Sequence, residues 1–301
     1  VDGWPTTRKL LGGRYDWGNM PDDPAGLARA RRLTTLQRQA IGALCHDAGV
    51  ASKMSYSASS SGAPLCWSEG THPLQTTFLY ASADSPWVVN YNTETFPKNE
   101  LNMAINANLD AGLPGAISIR NNSGGHAVVV DGYGYAYGAL YHHINMGWGG
   151  TDTAWYNLPN VNGNAGAYFR VSGLLFNLHP TFADCCVCSG RILTKSGQPL
   201  AGIKVAARHV GGVYKTKTTV SNAKGIYAFL LKPGTYTIAP VLPGFSFKPV
   251  TARVTVGATR ARNVWNKTFK RVTRILQPSV AGLRFGQVPV GAFKKIGRAH
   301  V

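Results

Sequence analysis

Apolar positions along this chain change their period, and the changes divide it. Over 34–50, TTLQRQAIGALCHDAGV, they recur at helical spacing, which puts Leu36, Ala40, Ile41 and Leu44 on one face with Gly49 as the expected stop. KNELNMAINANLDAG predicts a second helix, with Leu101, Ala104, Ile105 and Leu109 in one stripe and Gly112 at its end. A shorter helix is expected over 74–80, and the polar, small-residue stretch KMSYSASSSGAP reads as a loop. YDWGNMP at 15–21 reads as a short aromatic strand running into a proline turn. Strands are then predicted at 116–120, 126–133, 139–145, 154–158 and 167–178. Helices first and an antiparallel sheet afterwards describe an α+β domain over 1–181.

From Cys188 the texture is different. Short alternating runs broken by Gly, Pro and Asn predict an all-β sandwich over 182–271, with no helix. A β pattern restarts over 272–295, where LRFGQVPVG is similar to the opening strand of an immunoglobulin-like module. The last six residues, 296–301, match one reading frame of a common sequencing adapter and are set aside from the fold. The chain is expected to be a fragment at both ends.

Charge sharpens the same division. Residues 1–180 hold 11 Lys/Arg and 12 Asp/Glu, whereas 181–301 hold 20 Lys/Arg and one acid, Asp184. So basic a second half suits an anionic cell-surface polymer as partner, or is a solvated surface and nothing more. No nucleic-acid-reading module is recognisable, so nucleic acid is not expected as a partner. No run of 18 apolar residues occurs, so no membrane span is predicted. The five cysteines, Cys45, Cys66, Cys185, Cys186 and Cys188, are odd in number and unevenly spaced, which argues against a disulfide framework. Zinc at DCCVC with His179 is disfavoured, because adjacent cysteines diverge and no second Cys/His pair follows. No cofactor or metal is expected.

The candidate chemistry lies in GGHAVVVDGYGYAYGALYHHINMGWGG, 124–150. If 126–133 and 139–145 pair around the intervening turn, positions summing to about 271 face each other, which sets His126 opposite Asn145, roughly 5 Å apart. An asparagine oxygen accepting from one ring nitrogen fixes the tautomer and frees the other nitrogen for proton transfer. Trp148 would then cover the pair, and Gly124 and Gly125 would leave room for a substrate backbone. Asp131, an odd number of residues away, is expected on the opposite face of the strand. His142 and His143 lack a flanking glycine opening; Cys45 and His46 diverge on their helix, with Cys45 expected to pack as a small buried hydrophobe. On composition alone, a single histidine on an apolar strand is a packed residue more often than a catalyst.

Together with YDWGNMP and LCHDAGVASKMSYSASSSGA upstream, these blocks resemble the streptopain family of papain-like cysteine peptidases over about 8–180. The resemblance implies an incomplete papain-like α+β domain that lacks part of its helical half. It implies His126 as the catalytic histidine, Asn145 as the residue orienting it and Trp148 as its cover. Residues 59–62, with Ser60 and Ser61, would shape the substrate cleft. Met146 stands where the family carries a tryptophan, and the hairpin loop is longer than usual. The family's nucleophilic cysteine belongs to a segment that would precede Val1, and none of the five cysteines has its context.

Separately, SGQPLAGIKV and AKGIYAFLLKPGTYTI resemble the carboxypeptidase regulatory-like domain over 188–270, which implies a spacer or binding module. The expected function is that of a secreted or surface-located bacterial cysteine endopeptidase acting on protein or peptide substrates, here a fragment without its nucleophile. The alternative is a non-catalytic surface or adhesion protein with a degenerate peptidase domain and a polyanion-binding basic sandwich.

Overall fold

The computed structural model of the protein describes residues 9–274, apart from 24–25, 28–30, 59–60 and 165. Ser60, the expected module beyond Arg274 and the segment 296–301 lie outside the described residues. Helix α1 spans Thr35–Ala51 and opens with a capping box, Thr34 exchanging hydrogen bonds with Gln37. It runs through Gly49 rather than stopping there; a Cβ at that position would run into the Tyr56 hydroxyl, so the glycine makes room for packing and does not end the helix. Its expected apolar face holds in part: Ala40 is buried and Ile41 and Leu44 are half-buried, but Leu36 is 63% exposed, and Asp47 is buried as well. Trp17–Asn19 is a 3-10 turn instead of a strand. The Asp16 carboxylate accepts from both the backbone and the side-chain amide of Asn19, so local bonds replace ladder pairing.

Strands β1 (Ser55–Tyr56) and β2 (Ser61–Gly62) pair as a small ribbon within the expected loop. Helix α2 is confined to Pro73–Thr76, capped by His72 Nδ1 accepting from the Leu74 amide. After β3 (Ser82–Asp84), helix α3 (Lys98–Asp110) buries Leu101, Ala104 and Ile105. Burial of each large apolar side chain here contributes about 2 kcal/mol. Strands β4 (Gly115–Arg120), β5 (Gly125–Ala136), β6 (Ala139–Asn145), β7 (Ala154–Tyr156), β8 (Val161–Gly163), β9 (Gly166–Tyr168) and β10 (Arg170–His179) follow. One sheet, ordered β3-β10-β4-β5-β6-β7 and antiparallel throughout, packs against α3 around Ile117, Ile119, Val130, Ile144, Leu174 and Phe176.

The second region is rich in β structure, with no helix among the described residues after 180. It comprises β11 (Cys186–Leu193), β12 (Lys204–His209), β13 (Lys217–Val220), β14 (Ile226–Leu231), β15 (Gly234–Val241), β16 (Phe245–Lys248), β17 (Ala252–Val256) and β18 (Phe269–Arg274). These form two four-stranded sheets, β14-β11-β18-β16 and β13-β12-β15-β17, whose inward residues share one core around Val205, Tyr227, Phe229, Tyr236, Ile238 and Phe269. Strand β18 crosses the boundary expected at 271, since pairing with β16 carries it to Arg274.

The two regions interlock. Ala261, from the loop before β18, belongs to the core around α3, while Val187 of β11 packs on Ala107 of α3. Buried Asn263 accepts from the Val187 amide and donates to the Ala104 carbonyl on α3. Arg260 pairs with Glu100 at 2.8 Å and Arg262 with Asp84 at 3.1 Å. At the end of α3, Asp110 accepts from Tyr133 and Ser189, one from each region.

Candidate active site

The histidine opening β5 is held by its own sheet. Asn121 turns β4 into β5 by accepting from the amides of Ser123 and Gly124, and Arg120 then pairs with Gly125. His126, partly buried, follows directly. Its Nε2 lies 2.8 Å from the Met146 carbonyl oxygen. A carbonyl only accepts, so Nε2 carries a proton, and in the neutral ring Nδ1 holds the lone pair. The Trp148 indole stacks on the ring, with centroids 4.6 Å apart and planes 16° from parallel. No hydrogen bond occupies Nδ1 among the described residues.

Asn145 is not the partner of that ring. It faces Val129, three positions from His126, because the hairpin register sums to 274 at Val129↔Asn145 and 275 at Ala136↔Ala139, not 271. Asp131 is the extra residue of a bulge between the Val130↔Ile144 and Gly132↔His143 pairs. The exposed Asn145 side chain instead accepts from the Gly147 amide at 2.9 Å. That bond turns the loop so that the Met146 carbonyl and Trp148 converge on His126. Met146 itself is buried in the core, with 2% of its surface exposed.

Beside His126 lies a cleft of about 400 Å³, lined by Met54, Ser61, Gly62, Trp87, Arg120 and Gly125 among others. Ser61 thus borders the cleft from the β1–β2 ribbon. Gly124 is open, and nothing lies within 4 Å of where its Cβ would stand. Gly125 is different: a Cβ there would come within 3.0 Å of the Arg120 side chain. Sequence reasoning passed over Arg120. Its guanidinium stands 5.0 Å from the Tyr91 ring centre and donates to Asn92, at the wall of the cleft. The short turn after AISIR was the available signal, since it fixes the pairing of Arg120 with Gly125.

The other histidines have separate partners. His143 Nδ1 meets Asp131 at 2.6 Å, so the bulge gives that carboxylate a role on β6. His142 is buried against Asn106 of α3, with Nε2 donating to its Oδ1 at 2.7 Å. Desolvation, with Lys98 adding repulsion, pushes His142 down to about 4. His46 lies 3.0 Å from Asp47, whose buried carboxylate also accepts from Leu11, Gly12 and Tyr15. Burial alone would raise the Asp47 pKa, but these bonds hold it well below the usual carboxylate range.

Cys45 is exposed on α1, not packed as a small hydrophobe. Gly42 and Ala48, its neighbours one turn away on the helix, are exposed with it. Cys66 is buried, its thiol bonded to the Pro86 and Leu174 carbonyls, and burial pushes its pKa up to about 12. Cys185, buried where the regions meet, and Cys186 and Cys188, buried in the core of the second region, are free and raised by burial to about 12, 11 and 12. His179 caps the amides of Thr181 and Phe182. Among the described residues no group of three or more His, Cys, Asp or Glu is arranged to hold a metal. No helix there is long and apolar enough to cross a membrane.

Comparison with known proteins divides the chain into two matched segments. Residues 5–156 match the profile of the Peptidase C10 family, and 188–267 that of the carboxypeptidase regulatory-like domain. Streptopain of Streptococcus pyogenes is 30% identical over 152 residues, which cover 50% of this chain and 35% of streptopain. The chain therefore spans about a third of the length of the curated relatives it matches. Among solved structures, interpain A cysteine protease of Prevotella intermedia aligns at 24% identity over 55% of this chain and 64% of its own, with a TM-score of 0.44. The shaft pilin SpaA of Lactobacillus rhamnosus GG aligns at 15% identity over 30% of this chain and 48% of its own, with a TM-score of 0.24. Because the family profile extends over half the chain and contains His126, Asn145 and Trp148, the protein belongs to the peptidase C10 family, with a carboxypeptidase regulatory-like domain after it.

Proposed function

We propose that this chain supplies the acid–base side of a thiol endopeptidase centre, with His126 as the proton carrier. One observation carries the reading: a ring fixed at Nε2 by a carbonyl and covered by an indole, with Nδ1 unoccupied beside a cleft. In this reading the Nδ1 lone pair takes the proton of a thiol brought against it, and the imidazolium stabilises the thiolate. The thiolate attacks a peptide carbonyl, and the imidazolium then protonates the departing amine. Water, activated by the neutral ring, hydrolyses the thioester and regenerates the thiol.

Four of the cysteines are buried, the Cys66 thiol against two carbonyls, and no hydrogen bond or ring contact joins exposed Cys45 to His126 among the described residues. The proposal therefore assigns the nucleophile to a segment outside these 301 residues. Trp148 shields the ring, Asn145 shapes the loop, and Ser61, Gly124 and Gly125 border the bound chain. The fold belongs to the same reading: an incomplete papain-like α+β domain followed by a β-sandwich. Protein or peptide substrates outside a bacterial cell are its proposed targets.

The test is complementation. The thiol-bearing segment of a relative is supplied to this chain, and peptide cleavage is followed with and without iodoacetamide, with His126→Ala as control. Cleavage abolished by alkylation and by His126→Ala supports the proposal; cleavage indifferent to both overturns it.

A further inference from the structure

The outer face of the sheet β13-β12-β15-β17 has no role in the site described above. Its partner sheet meets α3 through β11 and β14, so this face is turned to solvent. Alternation along the strands sends Val205, Ala207, Tyr236, Ile238, Val254 and Val256 into the core. The opposite positions carry Lys204 and Arg208 on β12, Thr235 and Thr237 on β15, and Arg253 and Thr255 on β17. Register aligns Arg208, Thr237 and Arg253 in one row across three strands. The two arginines are thus about 10 Å apart, and Lys204 lies about 13 Å along β12 from Arg208.

Three features distinguish this face from ordinary basic decoration. Lys204, Arg208 and Arg253 are exposed and have no ion-pair or hydrogen-bond partner among the described residues. No Asp or Glu occurs anywhere in 185–301, and Asp184 lies 3.5 Å from Lys232. Between the cations the floor is Ala206, Ala239 and Thr237, low enough for an extended polymer to lie across it. Charges on an edge strand discourage sheet-to-sheet aggregation, which accounts for Arg253 on β17. It does not account for Lys204 and Arg208, because β12 is an interior strand.

We propose that this face binds a linear polymer of phosphate groups, with Arg208, Arg253 and Lys204 as its contacts and the threonine hydroxyls as further donors. Charge complementarity selects an anionic partner. Because this face carries cations, threonines, alanines and the exposed Val220 and Val241 beside Lys204, but no aromatic ring, nothing on it stacks nucleobases, which favours a bare phosphate chain over nucleic acid. Binding here leaves the His126 cleft, in the other region, unobstructed.

The experiment uses the whole chain and long-chain inorganic polyphosphate as the probe. Affinity is measured between about 50 and 400 mM salt, where displacement of counterions makes binding fall steeply. Lys204→Gln, Arg208→Gln and Arg253→Gln combined are expected to weaken binding at least about tenfold and to flatten the log–log salt slope by about 2. A control that removes equal charge elsewhere, Lys195→Gln, Lys224→Gln and Lys270→Gln, is expected to change affinity less than about threefold. Unchanged melting temperatures for both variants verify that they are folded. Equal loss in the two variants, salt-independent binding, or tighter binding of single-stranded DNA of matched charge would overturn the proposal.

Discussion

The imidazole of His126 and the indole of Trp148 lie face to face, 4.6 Å between centroids, while the Met146 carbonyl between them in sequence holds Nε2. Ring and cover are thus set by a single loop. Trp148→Ala frees the ring to tilt, and in the complemented enzyme it is expected to lower kcat/KM about 10- to 100-fold, with Trp148→Phe restoring most of it. Asn145 acts on the loop and not on the ring. Asn145→Ala is therefore expected to cost about 1 kcal/mol of stability and less activity than Trp148→Ala. A larger kinetic loss from Asn145→Ala would contradict this arrangement.

His142 gives the fold a pH dependence of its own. Its folded pKa of about 4 lies below the ordinary 6.5, so between these values the unfolded chain binds a proton that the native protein refuses. Its contribution is complete above the ordinary value and shrinks as pH falls toward the folded value, by about 3 kcal/mol in all. Urea denaturation at about pH 7 and pH 4.5 is expected to show His142→Gln losing less stability on acidification than the parent. Parallel losses would contradict it.

Thiol accessibility separates the cysteines. Cys45 is exposed and the other four are buried, with pKa values of about 11 to 12. A chromogenic disulfide reagent is expected to label one thiol rapidly in the native protein and all five after denaturation. Rapid native labelling of the Cys45→Ser variant would refute the burial of the other four.

Asn263 joins the two regions with a bond to each. Asn263→Ala leaves the buried Val187 amide unpaired and removes one bond from the Ala104 carbonyl, which keeps its bond from Asn108, at a cost of about 1 to 3 kcal/mol. Calorimetry is expected to show a single lowered transition for the whole chain. An unchanged upper transition belonging to either region would show that they unfold independently.

The long periodic segments were legible. Stripe and strand alternation located α3, β4 and β6 within a residue or two, because burial on one face leaves a period in the sequence. Leu36 follows the same period yet faces solvent, since a stripe says nothing about whether a partner covers it. The Asp131 bulge was invisible for a different reason: one unpaired residue leaves the alternation on both sides intact while shifting every pair beyond it. His126 and Trp148 were therefore identified correctly as neighbours, and Asn145 was assigned to the wrong atom. Asp47 carried no signal, because the backbone amides of Leu11 and Gly12 and the hydroxyl of Tyr15 that bond it are distant in sequence.

Helix α3 carries the longest consequence. One flank fills the peptidase core and the other meets β11 and the loop bearing Ala261, so a single cylinder serves two neighbours. Shuffling such a module between genes would not be a neutral graft. An unrelated replacement would uncover Ala107 and take from the Ala104 carbonyl its bond to Asn263, so the back of the helix and the trailing module are fitted to each other.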